Sequence, residues 1–262
     1  MFSLVSADWV QQRLESPDVL LIDPRSPVRY MAGHPKNAVN LPVSKSRDAQ
    51  GALLSPEELA RWVGAAGLDE GQTSVLYDNS DGRNAAMLAW ILLYLGRRDV
   101  CLMSVGWEKW VAEGREVFYR PVKPAPRTFG AQVRPEIRAT LDELRIAADG
   151  RAIDFRSRDE FTGKLDTEGR PGHIPRAVNI VWQELAGQDG QLLARRERLE
   201  EIFSASGIGP NEKVIAYCRS GARAALGFLA LAELGWNVSL YDGSYAEWAR
   251  SGMPVETAES KE

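Results

Sequence analysis

Gly33-His34-Pro35-Lys36-Asn37-Ala38-Val39-Asn40 returns 139 residues later as Gly172-His173-Ile174-Pro175-Arg176-Ala177-Val178-Asn179, with five of the eight positions identical. A repeat at this spacing means that one supersecondary plan is used twice, so the search for similarity extends outward in both directions. Upstream, Leu21-Ile22-Asp23-Pro24-Arg25-Ser26 matches Ala152-Ile153-Asp154-Phe155-Arg156-Ser157 at an offset of 131, which places an eight-residue insertion of the second copy within or near Lys164–Pro171. Downstream, Leu92-Leu93-Tyr94-Leu95-Gly96 matches Leu231-Ala232-Glu233-Leu234-Gly235 at 139, and Trp110, Gly114 and Val117 match Trp248, Gly252 and Val255 at 138. Matches in one order across both halves predict two tandem domains. Between the copies, Arg120 to Pro135 holds Pro121, Pro124, Pro126 and Pro135, a composition that breaks helices and central strands. The expected boundary lies near residue 125, with domains 1–124 and 125–262.

The second half reads as strands alternating with helices. Ala152-Ile153-Asp154 ends a strand, and Arg195 to Ser206 is a helix with Leu199, Ile202 and Phe203 on one face. Lys213 to Tyr217 is a buried strand after the Gly209-Pro210-Asn211 turn. Ala222 to Leu234 is a helix closed by Gly235, Val238 to Tyr241 a strand, and Ser244 to Ser251 a short helix. Such alternation predicts an α/β fold, each domain a parallel sheet flanked by helices, with chemistry beyond the carboxyl ends of the strands.

That rule directs attention to Cys218-Arg219-Ser220-Gly221-Ala222-Arg223. A cysteine between a strand and a helix start meets unpaired backbone N–H groups and the positive end of the helix dipole, which favour its nucleophilic thiolate. Arg219 and Arg223 add charges that do not titrate near neutrality, and Gly221 lets the loop turn tightly. Cys218 is the candidate nucleophile, with Arg219, Ser220, Gly221, Ala222 and Arg223 as the anion-binding loop. The first half supplies a control. At an offset of 140, Cys218 falls on Asp78, Gly221 on Asp81, and the formal charge of the six positions changes from +2 to −1. The expectation is a catalytically inactive first domain whose loop neither attacks nor comfortably holds an anion.

The tandem plan, this loop, Asp154 to Lys164, Gly172-His173-Ile174-Pro175 and Tyr241-Asp242-Gly243-Ser244 together resemble the two-domain rhodanese-type sulfurtransferases. The resemblance implies two rhodanese-like domains and transfer of a sulfane sulfur. Cys218 would take the outer sulfur of thiosulfate, release sulfite, and pass the persulfide sulfur to cyanide or a thiol. No metal or organic cofactor is expected. In this family, basic residues after the cysteine go with thiosulfate, whereas Cys-Gly-(Ser/Thr)-Gly-Val-Thr loops go with 3-mercaptopyruvate. Several two-domain members bind substrate through an upstream arginine; the matching position here is Glu160, with Arg158 as the nearest substitute. Asp154, His173 and Asp242 are expected at most to support the loop from behind. His34 and His173 occupy matching positions, one without a nucleophile, which favours a structural role over general-base work. Trp110 and Trp248 read as core, Cys101 as an inert strand residue, and the tail from Glu256 to Glu262 as frayed.

Three rival functions remain: 3-mercaptopyruvate sulfur transfer, a non-turnover sulfur carrier, and a cysteine-dependent phosphatase or arsenate reductase. The last places five residues between cysteine and arginine, but only four separate Cys218 from Arg223. Composition narrows the partners. A net charge of −4 disfavours nucleic acid, and 44% hydrophobic with 26% charged residues suits a globular chain. The longest apolar run, Ala85 to Leu95, is about half a membrane span, so no membrane association is expected. The start lacks a basic segment followed by an apolar one. Two cysteines suit a reducing compartment, and two histidines exclude a structural zinc site. A cytoplasmic monomer acting on small molecules is the expectation.

Overall fold

The structure, a computed structural model, describes residues 2–69, 71–146 and 152–257. The chain divides into two compact units, Met1–Arg134 with Gly187–Leu192, and Pro135–Ala186 with Leu193–Glu262.

In the first unit the elements run β1 (Phe2–Val5), α1 (Ala7–Gln11), β2 (Val19–Asp23), α2 (Pro27–Met31), β3 (Val39–Asn40), α3 (Pro56–Ala65), β4 (Thr73–Leu76), α4 (Arg83–Tyr94), β5 (Val100–Met103) and α5 (Trp107–Ala112). The sheet order is β1-β5-β4-β2-β3, and every pairing is parallel. In the second unit they run α6 (Leu141–Ile146), β6 (Ala152–Asp154), α7 (Arg158–Thr162), β7 (Val178–Asn179), α8 (Arg196–Ser204), β8 (Val214–Tyr217), α9 (Ala222–Glu233), β9 (Val238–Leu240) and α10 (Ser244–Arg250). Here the order is β7-β6-β8-β9, again parallel. This is the order of the first sheet without β1. A single parallel bridge from Arg138 to Leu240, with Ala139 N–H donating to Leu240 O at 2.9 Å, stands where β1 would pair.

The packing explains why the repeat survives. All four residues of β8 are buried, as expected of a central parallel strand covered on both faces. α9 lies on it with Ala224 to Leu231 buried. Its approach depends on Gly227, where a Cβ would stand 2.3 Å from the Phe155 ring. The sequence-derived element ends agree with the observed ones within two residues, the usual uncertainty of fraying termini.

Two expectations need correction. The boundary lies at Arg134/Pro135 rather than near 125, because the proline-rich segment is tied to the first unit. Arg127 N–H donates to Gly64 O, Gln132 N–H to Leu95 O and Arg134 N–H to Tyr94 O, each at 2.8 Å, and Phe129 is buried. The second unit also gives up Gly187–Leu192, since Gln191 bridges Val105 and Leu192 N–H donates to Ser104 O at 2.7 Å. The tail begins paired rather than frayed: His173 and Glu256 exchange both backbone hydrogen bonds, at 2.8 and 2.9 Å. Residues 258–262 lie outside the described residues.

Candidate active site

Cys218 follows β8 directly, is 1% exposed, and has its backbone fixed from the other side by the start of α10. Its N–H donates to Ser244 Oγ at 3.2 Å, and that hydroxyl donates to Tyr241 O at 2.8 Å. The carbonyls of Cys218 and Arg219 accept the N–H groups of Tyr245 and Ala246 at 2.9 and 3.0 Å. Ser244 is held at φ 55°, a left-handed conformation that a serine seldom adopts, so surrounding contacts impose this turn. On the sulfur side, Gly221 N–H donates to Cys218 Sγ at 3.1 Å. Gly221 sits at φ 101°, which a side chain would resist, and caps the twelve-residue α9. An anion at Sγ therefore faces a backbone donor and the positive end of a helix. Ala222 opens the helix, and Ser220 lies exposed at the tip of the turn.

The two arginines of the loop are each held by a carboxylate. Arg223 donates through Nη1 and Nη2 to Glu160 Oε2 and Oε1, at 2.6 and 2.9 Å. Glu160 is the third residue of α7, where it closes a capping box: its Oε2 accepts from the N–H and hydroxyl of Ser157 at 3.1 and 3.0 Å. Burial works against the charge of Glu160, but Arg223 and Ser157 hold its carboxyl down at about 2. Burial likewise opposes the charge on Arg223, yet Glu160 and the nearby Cys218 raise its affinity for its proton. Arg219, half exposed, pairs through Nε with Glu168 Oε1. Glu168 lies in the insertion that only the second repeat carries.

The remaining candidates lie farther back. Arg158, the expected substitute for an upstream arginine, is exposed and stands over the Phe161 ring at 5.6 Å from its centroid. The helix turn aims Glu160, two residues on, at the loop instead. Asp154 is fully buried and holds Arg156, which also donates to Gly172 O at 2.7 Å and lies 3.8 Å above the Tyr245 ring. His173 stacks on Phe161 and donates through Nδ1 to Phe161 O at 2.8 Å; burial lowers its pKa, so it is neutral at pH 7. Asp242 is buried against Arg138, whose Nε lies 2.6 Å from Oδ1. The first unit repeats the Asp154–Arg156 pair as Asp23–Arg25, at 2.6 Å.

In that unit the loop after β4 is occupied by its own side chain. Asp78 Oδ2 accepts the N–H groups of Asn84 and Ala85 at 2.6 and 3.1 Å, and Oδ1 accepts from Asn79 at 2.8 Å. The helix-start donors that an outside anion would need are thus taken by the loop's own carboxyl, and even that group is held uncomfortably. Burial, and then the charge of Asp81, push Asp78 up to about 6. An acid whose folded pKa is raised loses stability as pH climbs from its unfolded value to its folded one. By about pH 6 the loss is roughly 3 kcal/mol and then stays constant. Urea midpoints are expected to show Asp78→Asn gaining on the parent between pH 4 and 6.5; parallel profiles would contradict this.

A rhodanese-like domain model matches the chain twice, over residues 6–113 and 136–251. The chain belongs to the tandem rhodanese-type sulfurtransferases. A family member from Saccharopolyspora erythraea, provisionally named a thiosulfate sulfurtransferase, is 31% identical over 98% of this chain and 97% of its own. A sulfur carrier protein of Thermus thermophilus, TtuD, is 32% identical over 98% and 97%. Among solved rhodanese folds, the 3-mercaptopyruvate sulfotransferase SseA of Escherichia coli superposes with a TM-score of 0.84. It is 28% identical, covering 94% of this chain and 99% of that one. An EanB variant in which ergothioneine is linked to a cysteine persulfide gives 0.89 at 25% identity, over 98% of this chain and 70% of that one.

Sequence reasoning alone missed three parts of the rhodanese site. Glu160 looked like a lost substrate contact, although Ser157-Arg158-Asp159-Glu160 is a legible capping box. Glu168 carried no local signal, and Ser244, although part of the Tyr241-Asp242-Gly243-Ser244 segment, gave no hint of its contact with Cys218, since each meets the loop only through the fold.

Proposed function

We propose that this chain transfers a sulfane sulfur from thiosulfate to cyanide or a thiol through a persulfide on Cys218, and that the first unit, with Asp78 at the matching position, is catalytically inactive. The observation that carries this reading is the placement of Cys218 Sγ under the Gly221 N–H at the start of α9, beside Arg223. In the first half-reaction the thiolate attacks the outer sulfur of thiosulfate. The S–S bond breaks with its electron pair leaving on sulfite, and Cys218 becomes a persulfide anion. In the second, cyanide or a thiolate attacks the outer persulfide sulfur and regenerates the Cys218 thiolate, for ping-pong kinetics. The backbone donors of the loop serve both anions without reorganising. Gly221, with Arg219, Ser220, Ala222 and Arg223, forms the anion-binding loop. Asp154, His173 and Asp242 hold the loop's surroundings in place.

Intact-mass spectrometry of the reduced protein after incubation with thiosulfate tests the first half-reaction. The expected result is a gain of one sulfur on the Cys218 peptide, discharged by cyanide. Loading by 3-mercaptopyruvate but not by thiosulfate would reassign the donor. Loading by neither would overturn the proposal. A second reading, the sulfur carrier, draws on the name of the Thermus relative. Repeated turnover with a small thiol would exclude it; a single stoichiometric loading released only to a protein acceptor would favour it.

A further inference from the structure

One corner of the first unit sets large apolar side chains in water. Val28 and Met31, on α2, are 79% and 46% exposed, and Tyr119, 61% exposed, passes beside the turn that follows this helix. Three contacts fix the corner. Tyr30 Oη accepts the N–H of Val122 at 2.9 Å, and His34 and Phe118 exchange both backbone hydrogen bonds at 2.9 and 2.8 Å. Gly33 leaves room for Tyr119, whose ring would lie 3.7 Å from a Cβ at that position. The corner is also basic. Pro24 to Arg47 and Val117 to Pro135 contain no aspartate or glutamate, in a chain whose net charge is −4. Arg29, Arg120 and Lys123, all exposed, stand beside the apolar residues along these two stretches. Glu116, one residue before the second stretch, acts instead on Lys36, which Glu15 also pairs. We propose that this corner, made by α2 and the segment from Tyr119 to Lys123, is a docking surface for a protein segment in which acidic residues surround an apolar anchor. The proposal goes beyond sulfur transfer and stands whether or not that reading holds.

The second repeat is the control. At the offsets of 131 and 138, Val28, Arg29, Met31 and Tyr119 fall on Asp159, Glu160, Thr162 and Thr257. There Glu160 serves the cysteine loop through Arg223, and polar side chains take the other three positions. The same fold therefore carries polar residues at these sites, so neither the helix nor the turn requires Val28, Met31 and Tyr119 to be apolar. Neighbouring apolar groups left in water with a polar rim are the mark of an interaction face. Tyrosine, methionine and arginine are also the side chains that interfaces favour over the rest of a surface. The basic rim decides the kind of partner: it steers and orients an acidic segment and repels a basic one. Because backbone hydrogen bonds already hold the corner, little ordering on this side opposes binding.

Selection from a random peptide library displayed on phage, against the full chain, tests the proposal. Peptides enriched on the parent but not on the triple variant Val28→Asp, Met31→Thr, Tyr119→Thr are expected to carry an aromatic or aliphatic residue among several aspartates and glutamates. One such peptide, synthesised with a dye, is then measured by fluorescence anisotropy. The triple variant is expected to bind it at least about tenfold more weakly than the parent. Arg120→Glu with Lys123→Glu, or added salt, is expected to weaken it by about three- to tenfold. The exchanged residues are exposed, so urea midpoints are expected to stay with the parent; if the triple variant does not fold, the charge-reversed pair decides by the same anisotropy. Enrichment that ignores the three apolar residues, or that selects basic peptides, would overturn the proposal. So would self-association of the parent that the triple variant abolishes, read by sedimentation velocity, or binding to anionic phospholipid vesicles that it abolishes, since a second copy or a membrane would then be the occupant. Loading of Cys218 by thiosulfate is expected to be unchanged in every variant, so this proposal and the sulfur-transfer reading fail in separate measurements.

Discussion

Cys218→Ser is expected to fold like the parent and to lose sulfur transfer by at least about 10³-fold. The hydroxyl is slightly smaller than the thiol, and the backbone of residue 218 stays locked to Ser244 and Tyr245. What disappears is the nucleophile: a serine hydroxyl is not ionised near neutrality, and no sulfur can be stored on oxygen as a persulfide. Steady-state thiocyanate formation, together with the mass of the protein after thiosulfate treatment, measures the effect. Residual turnover within tenfold of the parent, or sulfur still gained elsewhere on the chain, would show that the chemistry lies outside this loop. Cys101 is the natural comparison, since burial and then Asp99 raise the pKa of its thiol, and Cys101→Ser is expected to leave loading unchanged.

Arg156→Met is expected to cost about 3–5 kcal/mol of stability in the second unit, because it leaves the fully buried Asp154 carboxylate without its hydrogen-bonded partner charge. It also removes the hydrogen bond to Gly172 O and the contact with the Tyr245 ring. Arg156→Lys keeps the charge but not the planar fork, and is expected to fall between. Urea or thermal unfolding measures both. A midpoint within about 1 kcal/mol of the parent would mean that water or a rearranged side chain compensates. The same pair, Asp23–Arg25, stands in the unit that carries no cysteine at the matching loop position. Its job is therefore to brace the strand end and the Gly-His turn, rather than to take part in the chemistry.

How much could be read from the chain depends on where each signal lies. The duplication was legible because both copies solve one packing problem with the same local residues: the buried strand end at Asp23 and Asp154, the glycine turn at Gly33 and Gly172, and the core tryptophans Trp110 and Trp248. The position of Cys218 between a strand and a helix was legible for a similar reason, since apolar periodicity and Gly221 are local features. The proline-rich segment misled about the boundary. Prolines signal a break in regular structure, but not which unit receives the backbone hydrogen bonds that follow.

Charge was the quantity that local reading got wrong. Along the chain, Arg219 and Arg223 lie within five positions of the cysteine, while Glu160 and Glu168 are 58 and 50 positions away from it. An arginine drawn mostly out of water, as Arg223 is, needs a partner, and the fold brings α7 to supply one; the inserted segment sets Glu168 beside the half-exposed Arg219. Asp78 shows the same effect in the other repeat, where a loop that counts as acidic in sequence spends its helix N-terminus on its own carboxylate. The repeat, the parallel sheets and the cysteine loop follow from short-range patterns that each segment carries by itself. The net charge around that loop belongs to no segment alone, because it depends on which distant side chains packing brings within hydrogen-bonding reach.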